Sequence, residues 1–340
     1  MDRIVRRCLR VLIIICVIFT EDSFSVNAAE KEPSSVEKSV GEGEVSERQV
    51  LGIDMYEVKE GDSLWKIAEK LWGDGNRYPQ LFAQNRDILT NPDYIQPGEK
   101  LAYFVEGEVE EDHALVWEEP IMEQVVRRAL ITIKQMDETE QAQFMARPVM
   151  ASDMEAVTSI YFSRKSNADT TYKPTLRFCI NEYEEIVDLD VGQQFSYADL
   201  VNFPALRDIC LWINLPEYPF LSVMPHLESI TIGNTGKKVE NLDFLRGRTN
   251  LKKLTLDSMG FFEVSDVGVL KSCTELECLS LDTREVTDFS FLTYCSKIKR
   301  FSFYGSAKPD FKFLPEAEYV HIPWVKYHRN EEGELVLGKG

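Results

Sequence analysis

Four histidines, seven cysteines and 57 acidic side chains are the groups of this 340-residue chain that could do chemistry. Their spacing points away from catalysis. His113, His226, His321 and His328 fall in no metal-ligand pattern, and no His-Glu-x-x-His or Cys-x-x-Cys run is present to supply two ligands from one helix or turn. There is no Gly-x-Ser-x-Gly elbow and no phosphate-cradling glycine loop. Carboxylate pairs are inevitable at this acidity, so a glycosidase dyad cannot be read from sequence. The chain is therefore expected to have no catalytic residue, metal or cofactor. The cysteines beyond the N-terminus are Cys179, Cys210, Cys273, Cys278 and Cys295, an odd number without tight spacing, which is not a disulfide framework.

The elements that must position any binding site come next. A net charge of −19 excludes a phosphate-backbone partner such as nucleic acid, which calls for a basic surface. Arg3, Arg6, Arg7 and Arg10 precede the nine-residue apolar run Val11–Phe19. That run is too short to span a bilayer and suits a signal peptide over residues 1–28, with small residues for cleavage at Ala28 or Ala29. An uncleaved anchor is the alternative; after cleavage no membrane insertion is expected. Residues 29–53 are charged and aperiodic and are expected to be a disordered linker.

Residues 54–104 change character. Tyr56-Glu-Val58 alternates like a strand, Gly61-Asp62-Ser63 offers a turn and a helix cap, and Leu64, Ile67, Ala68 and Leu71 make one helical face. A second helix is expected over Tyr78 to Asn85, then turns at Asn91-Pro92-Asp93 and Gln96-Pro97-Gly98, then a strand at Leu101–Tyr103. The order is strand, helix, helix, strand. The runs from Tyr56 to Ala68 and from Asn85 through Asn91-Pro92-Asp93 to Leu101 resemble the LysM domain, and Trp72-Gly-Asp-Gly-Asn-Arg-Tyr78-Pro resembles the insert of a longer bacterial form. The resemblance implies binding of peptidoglycan or a related N-acetylglucosamine-containing glycan. Carried over by position, Gly61, Asp62, Ser63 and Leu64 form one wall of the groove and Ile88, Asn91, Pro92, Asp93 and Ile95 the other. A purely structural role, capping and turning the chain, is compatible with the same residues.

Residues 105–117 are acidic and expected to be a solvated linker. From Phe203 onward one pattern returns six times: Leu206, Ile209, Leu211; Leu227, Ile230, Ile232; Leu251, Leu254, Leu256; Leu276, Leu279, Leu281; Ile298, Phe301, Phe303; and Ala317, Val320, Ile322. The starts lie 21, 24, 25, 22 and 19 residues apart. Two further columns run in phase: Leu200, Leu221, Leu245, Leu270, Leu292, and Phe203, Met224, Arg248, Cys273, Cys295, Leu314. Such units must stack to bury their interiors. Cys273 and Cys295 share a column, which leaves open either a bridge or two small buried hydrophobes.

This array resembles the short bacterial leucine-rich repeat, with Val286 to Leu292 as its return; the usual Asn appears once, as Asn214. The expected domain covers residues 118–325. It starts with an amphipathic helix at Pro120–Ile131 and a first strand bearing Val157, Ile160 and Phe162, and Ile186, Leu189 and Val191 extend the count to about eight coils. Val325–Arg329 and Glu334–Leu337 read as a closing hairpin, with residues 326–340 as the C-terminal cap. The fold class is thus a small α+β LysM module joined to an α/β solenoid with a parallel concave sheet.

On that sheet Arg207, Glu228, Lys252, Glu277, Lys299 and Glu318 alternate in sign, which suits a register-setting charge ladder. The column Cys210, Thr231, Thr255, Ser280, Ser302, His321 is small and flat. Its neighbour Trp212, Gly233, Asp257, Asp282, Tyr304 carries bulk only near its ends. The expectation is a non-enzymatic, secreted, bacterial cell-wall-associated protein. Its LysM module would hold peptidoglycan and its repeats would meet an unidentified protein partner. A structural envelope spacer, or an accessory of a cell-wall hydrolase, are the alternatives.

Overall fold

In the computed structural model, residues 48–337 are described apart from 109–111, 166–174, 190–194, 196, 213–214, 216–217, 234–238, 240, 258–263, 284, 324 and 331–332. The signal segment, most of the first linker, Val191 and Asn214 lie outside the described residues. The chain opens with β1 (Arg48–Glu57), α1 (Leu64–Trp72), α2 (Tyr78–Gln84) and β2 (Lys100–Glu108). β1 and β2 pair antiparallel over their whole length, from Arg48 opposite Glu108 to Glu57 opposite Lys100. The pair takes in residues 48–53 and 105–108, so both flanking linkers are shorter than expected. One reason is a charge clamp: the Arg77 guanidinium pairs with the Glu106 carboxylate while lying 4.4 Å from the Trp72 ring centre. Trp72 in turn donates from its indole N–H to the Phe104 carbonyl at 2.8 Å. The second linker is also tied at its far end. Leu115 N–H donates to Val149 O at 2.8 Å, and Ser152 donates from backbone and hydroxyl to Asp112.

The helical cap is α3 (Pro120–Ile133) and α4 (Glu138–Met145). Proline at the first turn of α3 costs no hydrogen bond, because that N–H has no partner in a helix anyway. Asp199, on the first repeat, accepts from the Glu118 and Glu119 N–H groups at 2.7 and 2.9 Å, which fixes the entry to α3. Asp137 and Glu140 form a reciprocal capping box on α4.

Asp153 locks the two helices to the solenoid. It accepts from Lys134 Nζ at 3.0 Å, both Arg147 terminal nitrogens at 2.6 and 2.9 Å, and Met150 N–H. Burial alone would raise its pKa, but Arg147, the Met150 N–H and Lys134 hold it well below the usual carboxylate range. A depressed folded pKa gives stability that is present above the unfolded value, about 4, and fades as pH falls through the folded one. Asp153→Asn is therefore expected to cost about 2 kcal/mol at pH 7. It should also flatten the acid limb of urea-melt stability plotted against pH.

The solenoid sheet has eleven strands in the order β13-β12-β11-β10-β9-β8-β7-β6-β3-β4-β5. Seven run parallel, one per coil: β3 (Ser159–Lys165), β6 (Asp208–Trp212), β7 (Ser229–Gly233), β8 (Lys253–Asp257), β9 (Cys278–Leu281), β10 (Arg300–Phe303) and β11 (Tyr319–Ile322). Every apolar position of the six repeats is buried, as is each residue of the two in-phase columns. Register is kept column by column, with Cys210, Thr231, Thr255, Ser280, Ser302 and His321 as successive partners. Short 3-10 turns at residues 198–202, 219–223, 243–245, 268–272, 290–293 and 311–313 return the chain on the outer side.

Among the described residues the expected eighth coil does not form. Ile186 lies instead on β5 (Tyr183–Asp188), which forms an antiparallel hairpin with β4 (Thr175–Ile180) at the sheet edge. Ile186 points outward there, about half exposed. The hairpin wins because Asn181 adopts a positive φ of 50° at the turn. Its side-chain oxygen accepts from the Thr158 and Ser159 N–H groups, so the turn is bolted to the start of β3. At the other edge β12 (Val325–Arg329) and β13 (Leu335–Leu337) form the closing hairpin.

Arg248 is the one polar member of its column among the described coils, and it is fully buried. Its guanidinium donates to Phe244 O and Met224 O, both at 2.9 Å, and to Leu221 O. Arginine thus substitutes for a hydrophobe by donating to carbonyls at two successive 3-10 turns, where Leu221 O and Met224 O also accept from the Met224 and Leu227 N–H groups. Burial pulls its pKa down to about 10, which still leaves it charged at neutral pH.

The first module packs on the coils at the side where the strands begin. The His226 ring Nε2 lies 3.1 Å from Val50 O, Ser272 donates to Gln84 O at 3.0 Å, and Arg246 pairs with Asp87 at 3.3 Å. Gly247, at φ 77°, presses against Ala102 and Ile53. The outward strand positions take no part in these contacts.

Candidate functional site

The two proposed groove walls share one small core. Leu64 and Leu89 are buried in it, and Ile88 and Ile95 pack against it. The first wall is built by a turn and a cap. Gly61 has φ 80° with open space where a Cβ would stand, so the backbone here is exposed to close approach. Asp62 turns back toward β1, accepting from Lys59 N–H at 2.8 Å and from the Tyr56 hydroxyl at 3.0 Å. Ser63 is the N-cap of α1, accepting from Lys66 N–H at 3.3 Å. Lys66 also reaches back to the Gly61 carbonyl at 2.8 Å. Leu64 is core, not surface. Of the first wall, then, Gly61 and Ser63 face solvent while Asp62 and Leu64 hold them in place. Ser63→Ala is expected to cost about 1 kcal/mol of module stability, measurable by chemical denaturation.

In the second wall Asn91 Oδ1 accepts from Asp93 N–H at 2.9 Å, making an Asx turn. Asn91 and Asp93 are exposed, and Pro92, Ile88 and Ile95 are half-buried. The strand ends close beneath this loop: Val58 N–H donates to Glu99 O and Gly98 N–H to Val58 O, both at 2.8 Å. Asn85 anchors the far side, bonding Leu81 O, Ala102 O and Ala102 N–H through one side chain.

Three exposed aromatics of the module, Trp65, Tyr78 and Tyr94, lie outside the transferred set. Tyr94 stands 66% exposed between Asp93 and Ile95, and Trp65 stands 49% exposed after Leu64. Trp65 lies across Gly75, where an added Cβ would come within 2.2 Å of its ring. The signal was present in the sequence, since neither Trp65 nor Tyr94 falls on an apolar face.

The charge ladder lies one residue ahead of each strand, not within the sheet, and forms where its ions meet. Lys252 reaches Glu228 at 2.7 Å and Lys299 reaches Glu277 at 2.8 Å. The backbone beneath carries the ladder too, with N–H of each member donating to the carbonyl of the one before, from Glu228 to Glu318. On the concave sheet bulk is concentrated at the two ends. Trp212 lies over Gly233. Tyr304 and the His321 ring nitrogen are 2.9 Å apart, and burial pushes the Tyr304 hydroxyl up to about 12. Cys273 and Cys295 are free thiols. Cys295 donates toward Leu270 O at 3.3 Å, and burial pushes its pKa up to about 12. Among the described residues no cluster of three or more His, Cys, Asp or Glu could hold a metal, and no helix is long and apolar enough to cross a membrane.

A strand-helix-helix-strand module with an open turn and loop, seated on stacked leucine-rich coils, defines a LysM domain joined to a leucine-rich repeat domain. Residues 56–102 match the family described as LysM domain. A match over 50 residues, 50% identical, joins 15% of this chain to 19% of an uncharacterized protein of Deinococcus radiodurans. Another, 32% identical over 87 residues, joins 24% of this chain to 58% of the potassium binding protein Kbp of Escherichia coli. The chain thus spans less than two thirds of either relative. Among solved structures, the internalin InlF of Listeria monocytogenes is similar at 15% identity and TM-score 0.36, covering 61% of this chain and 63% of that one. Internalin C2 from the same organism gives 14% and 0.37, covering 62% and 99%; at such scores neither likeness carries an argument. The LysM match implies binding to N-acetylglucosamine-containing glycans, and both kinds of domain are typically non-catalytic.

Proposed function

We propose that this is a secreted, cell-wall-associated bacterial protein whose groove between Gly61–Leu64 and Ile88–Ile95 holds peptidoglycan while the concave sheet receives a protein partner. The observation that carries the proposal is the open backbone at Gly61, facing solvent next to the exposed Ser63, with the exposed Asn91 and Asp93 on a loop whose Ile88 and Ile95 pack on the same core as Leu64. Exposed peptide groups there can hydrogen-bond the acetamido groups of the sugar. The half-buried Ile88, Pro92 and Ile95 supply an apolar floor for its flat face. The partner surface is expected at the two bulky ends of the sheet, since interface hot spots favour Trp and Tyr.

Sedimentation of the full chain with purified sacculi tests the first half. The wild-type chain should pellet, and Gly61→Val, which strains a positive φ and fills the groove, should stay in the supernatant. Equal pelleting of both would sink the groove assignment. The structural-spacer alternative is separated by the second half: Trp212→Ala and Tyr304→Ala should abolish capture of a protein from the envelope while leaving pelleting intact.

A further inference from the structure

Residues 72–79 take no part in either wall of the groove, yet they are fastened at three points. Asp74 caps the 3-10 turn Gly75–Arg77, accepting from Asn76 N–H at 2.9 Å. Gly75 N–H donates to the Glu69 carboxylate on α1 at 2.7 Å. Arg77 is held by Glu106 and stacks over Trp72. The turn is thereby fixed against α1, and Gly75 is buried under the Trp65 indole. A Cβ on Gly75 would lie nearest to Trp65 Cε2, at 2.2 Å, and next to Cδ2, at 2.5 Å. Both are ring-fusion carbons with no free edge, so the backbone meets the face of the indole and not its rim. Trp65 is nonetheless 49% exposed: one face is covered and the other is bare. Among the described residues no cation or second ring stacks on it, as Arg77 does on Trp72.

An aromatic face held still and left open suits a flat apolar partner, because the ring is already ordered before anything binds. Shielding the Gly75 peptide alone would take only a small apolar side chain. Trp65 directly follows Leu64 and lies two residues from Ser63 on the first wall, at most about 7 Å along the backbone. A β-linked N-acetylglucosamine unit presents C–H groups on both faces of its ring, and these suit the electron-rich face of an indole. We propose that the bare face of Trp65 is a stacking subsite for a further sugar unit of the glycan, and that residues 72–79 are its backing. The subsite extends the groove beyond the first wall and sets a minimum glycan length for full affinity. The proposal rests on the glycan-binding function above.

The test is calorimetric titration of the full chain with β-linked N-acetylglucosamine oligosaccharides of increasing length, from the disaccharide upward. In the wild-type chain affinity should step up about tenfold at the length that reaches from groove to platform, the order of gain from covering one aromatic face. Trp65→Ala should remove the step and leave the shorter sugars bound as in the wild type, which also shows that the module still folds. Gly75→Ala should remove it with the indole still present. The Gly75 backbone is not among the positive-φ glycines, so the added methyl acts by pushing the ring aside. A step that survives Trp65→Ala overturns the proposal. So does a gradual rise with length that is alike in all three chains, the effect of a longer sugar merely offering more registers. Loss in Trp65→Ala with a full step in Gly75→Ala keeps the platform and overturns its backing. Binding of long sugars that survives Gly61→Val but not Trp65→Ala would sink the groove and spare the platform. Binding of no sugar by the wild-type chain would sink both.

Discussion

Arg248→Ala is expected to destabilise the repeat domain by about 4 kcal/mol, among the largest single losses available in this chain. Two terms add. The substitution empties the space of a large, fully buried side chain, and such cavities cost about 2–5 kcal/mol when neighbours cannot collapse. It also removes the guanidinium's hydrogen bonds to the Leu221, Met224 and Phe244 carbonyls; Leu221 O and Met224 O keep a backbone N–H donor, so the loss is about 1 kcal/mol, chiefly at Phe244 O. Arg248→Met separates the two. Methionine restores apolar volume in a column otherwise made of Phe, Met, Cys and Leu, so it should recover the cavity term and keep only the carbonyl term, about 1 kcal/mol. Urea unfolding of the three chains measures this. A methionine variant as damaged as the alanine one would mean that the hydrogen bonds, not the packing, dominate.

The second large effect is at the seam. Gly247→Leu should separate the LysM module from the coils while leaving each folded. The backbone at Gly247 has a φ of 77°, and a Cβ there would sit 3.1 Å from the Ala102 methyl and 3.4 Å from Ile53. A branched side chain adds strain of about 1–2 kcal/mol from the dihedral alone and more from the clash. Small-angle scattering should show a larger radius of gyration, and amide exchange at Val50, Gln84 and Ser272 should rise. Gln84→Leu should act in the opposite sense. The Gln84 amide is buried with neither its nitrogen nor its oxygen bonded among the described residues, so an apolar replacement of similar size removes a desolvation cost of about 1 kcal/mol. An unchanged scattering profile in Gly247→Leu would show that the seam has room to give.

How much of this was legible beforehand follows the distance between the residues involved. The repeat columns could be read because each coil writes the same short-range rule again, and seven strands obey it. The LysM module could be read because Gly61-Asp62-Ser63 and Asn91-Pro92-Asp93 are local turns. The β4–β5 hairpin was misread since Ile186 and Leu189 mimic the repeat spacing; only Asn181 at its turn argues otherwise. The seam was not legible at all. Gln84 meets Ser272 and Val50 meets His226 across 188 and 176 residues, using residue types common on any surface. Within the module, the Gly61–Leu64 turn and the Asn91–Asp93 loop could be placed but not which members face out: Asp62 is half-buried and Leu64 buried, while Gly61 and Ser63 are exposed.

The two hairpins that border the sheet have a consequence for assembly. A stack of parallel coils is an open-ended template, since each strand offers its neighbour an identical edge. Here β12 and β4 run against that direction; the outermost strands, β13 and β5, turn back to run with the coils, but one of them, Leu335–Leu337, is only three residues long. The other alternates Glu184, Ile186 and Asp188 on its exposed side. A further copy of the chain meets either a three-residue edge or one bearing two carboxylates, and both are poor templates for an added strand. Shortness at one border and charge at the other, not strand direction, are what work against strand-by-strand extension of the sheet by a second copy.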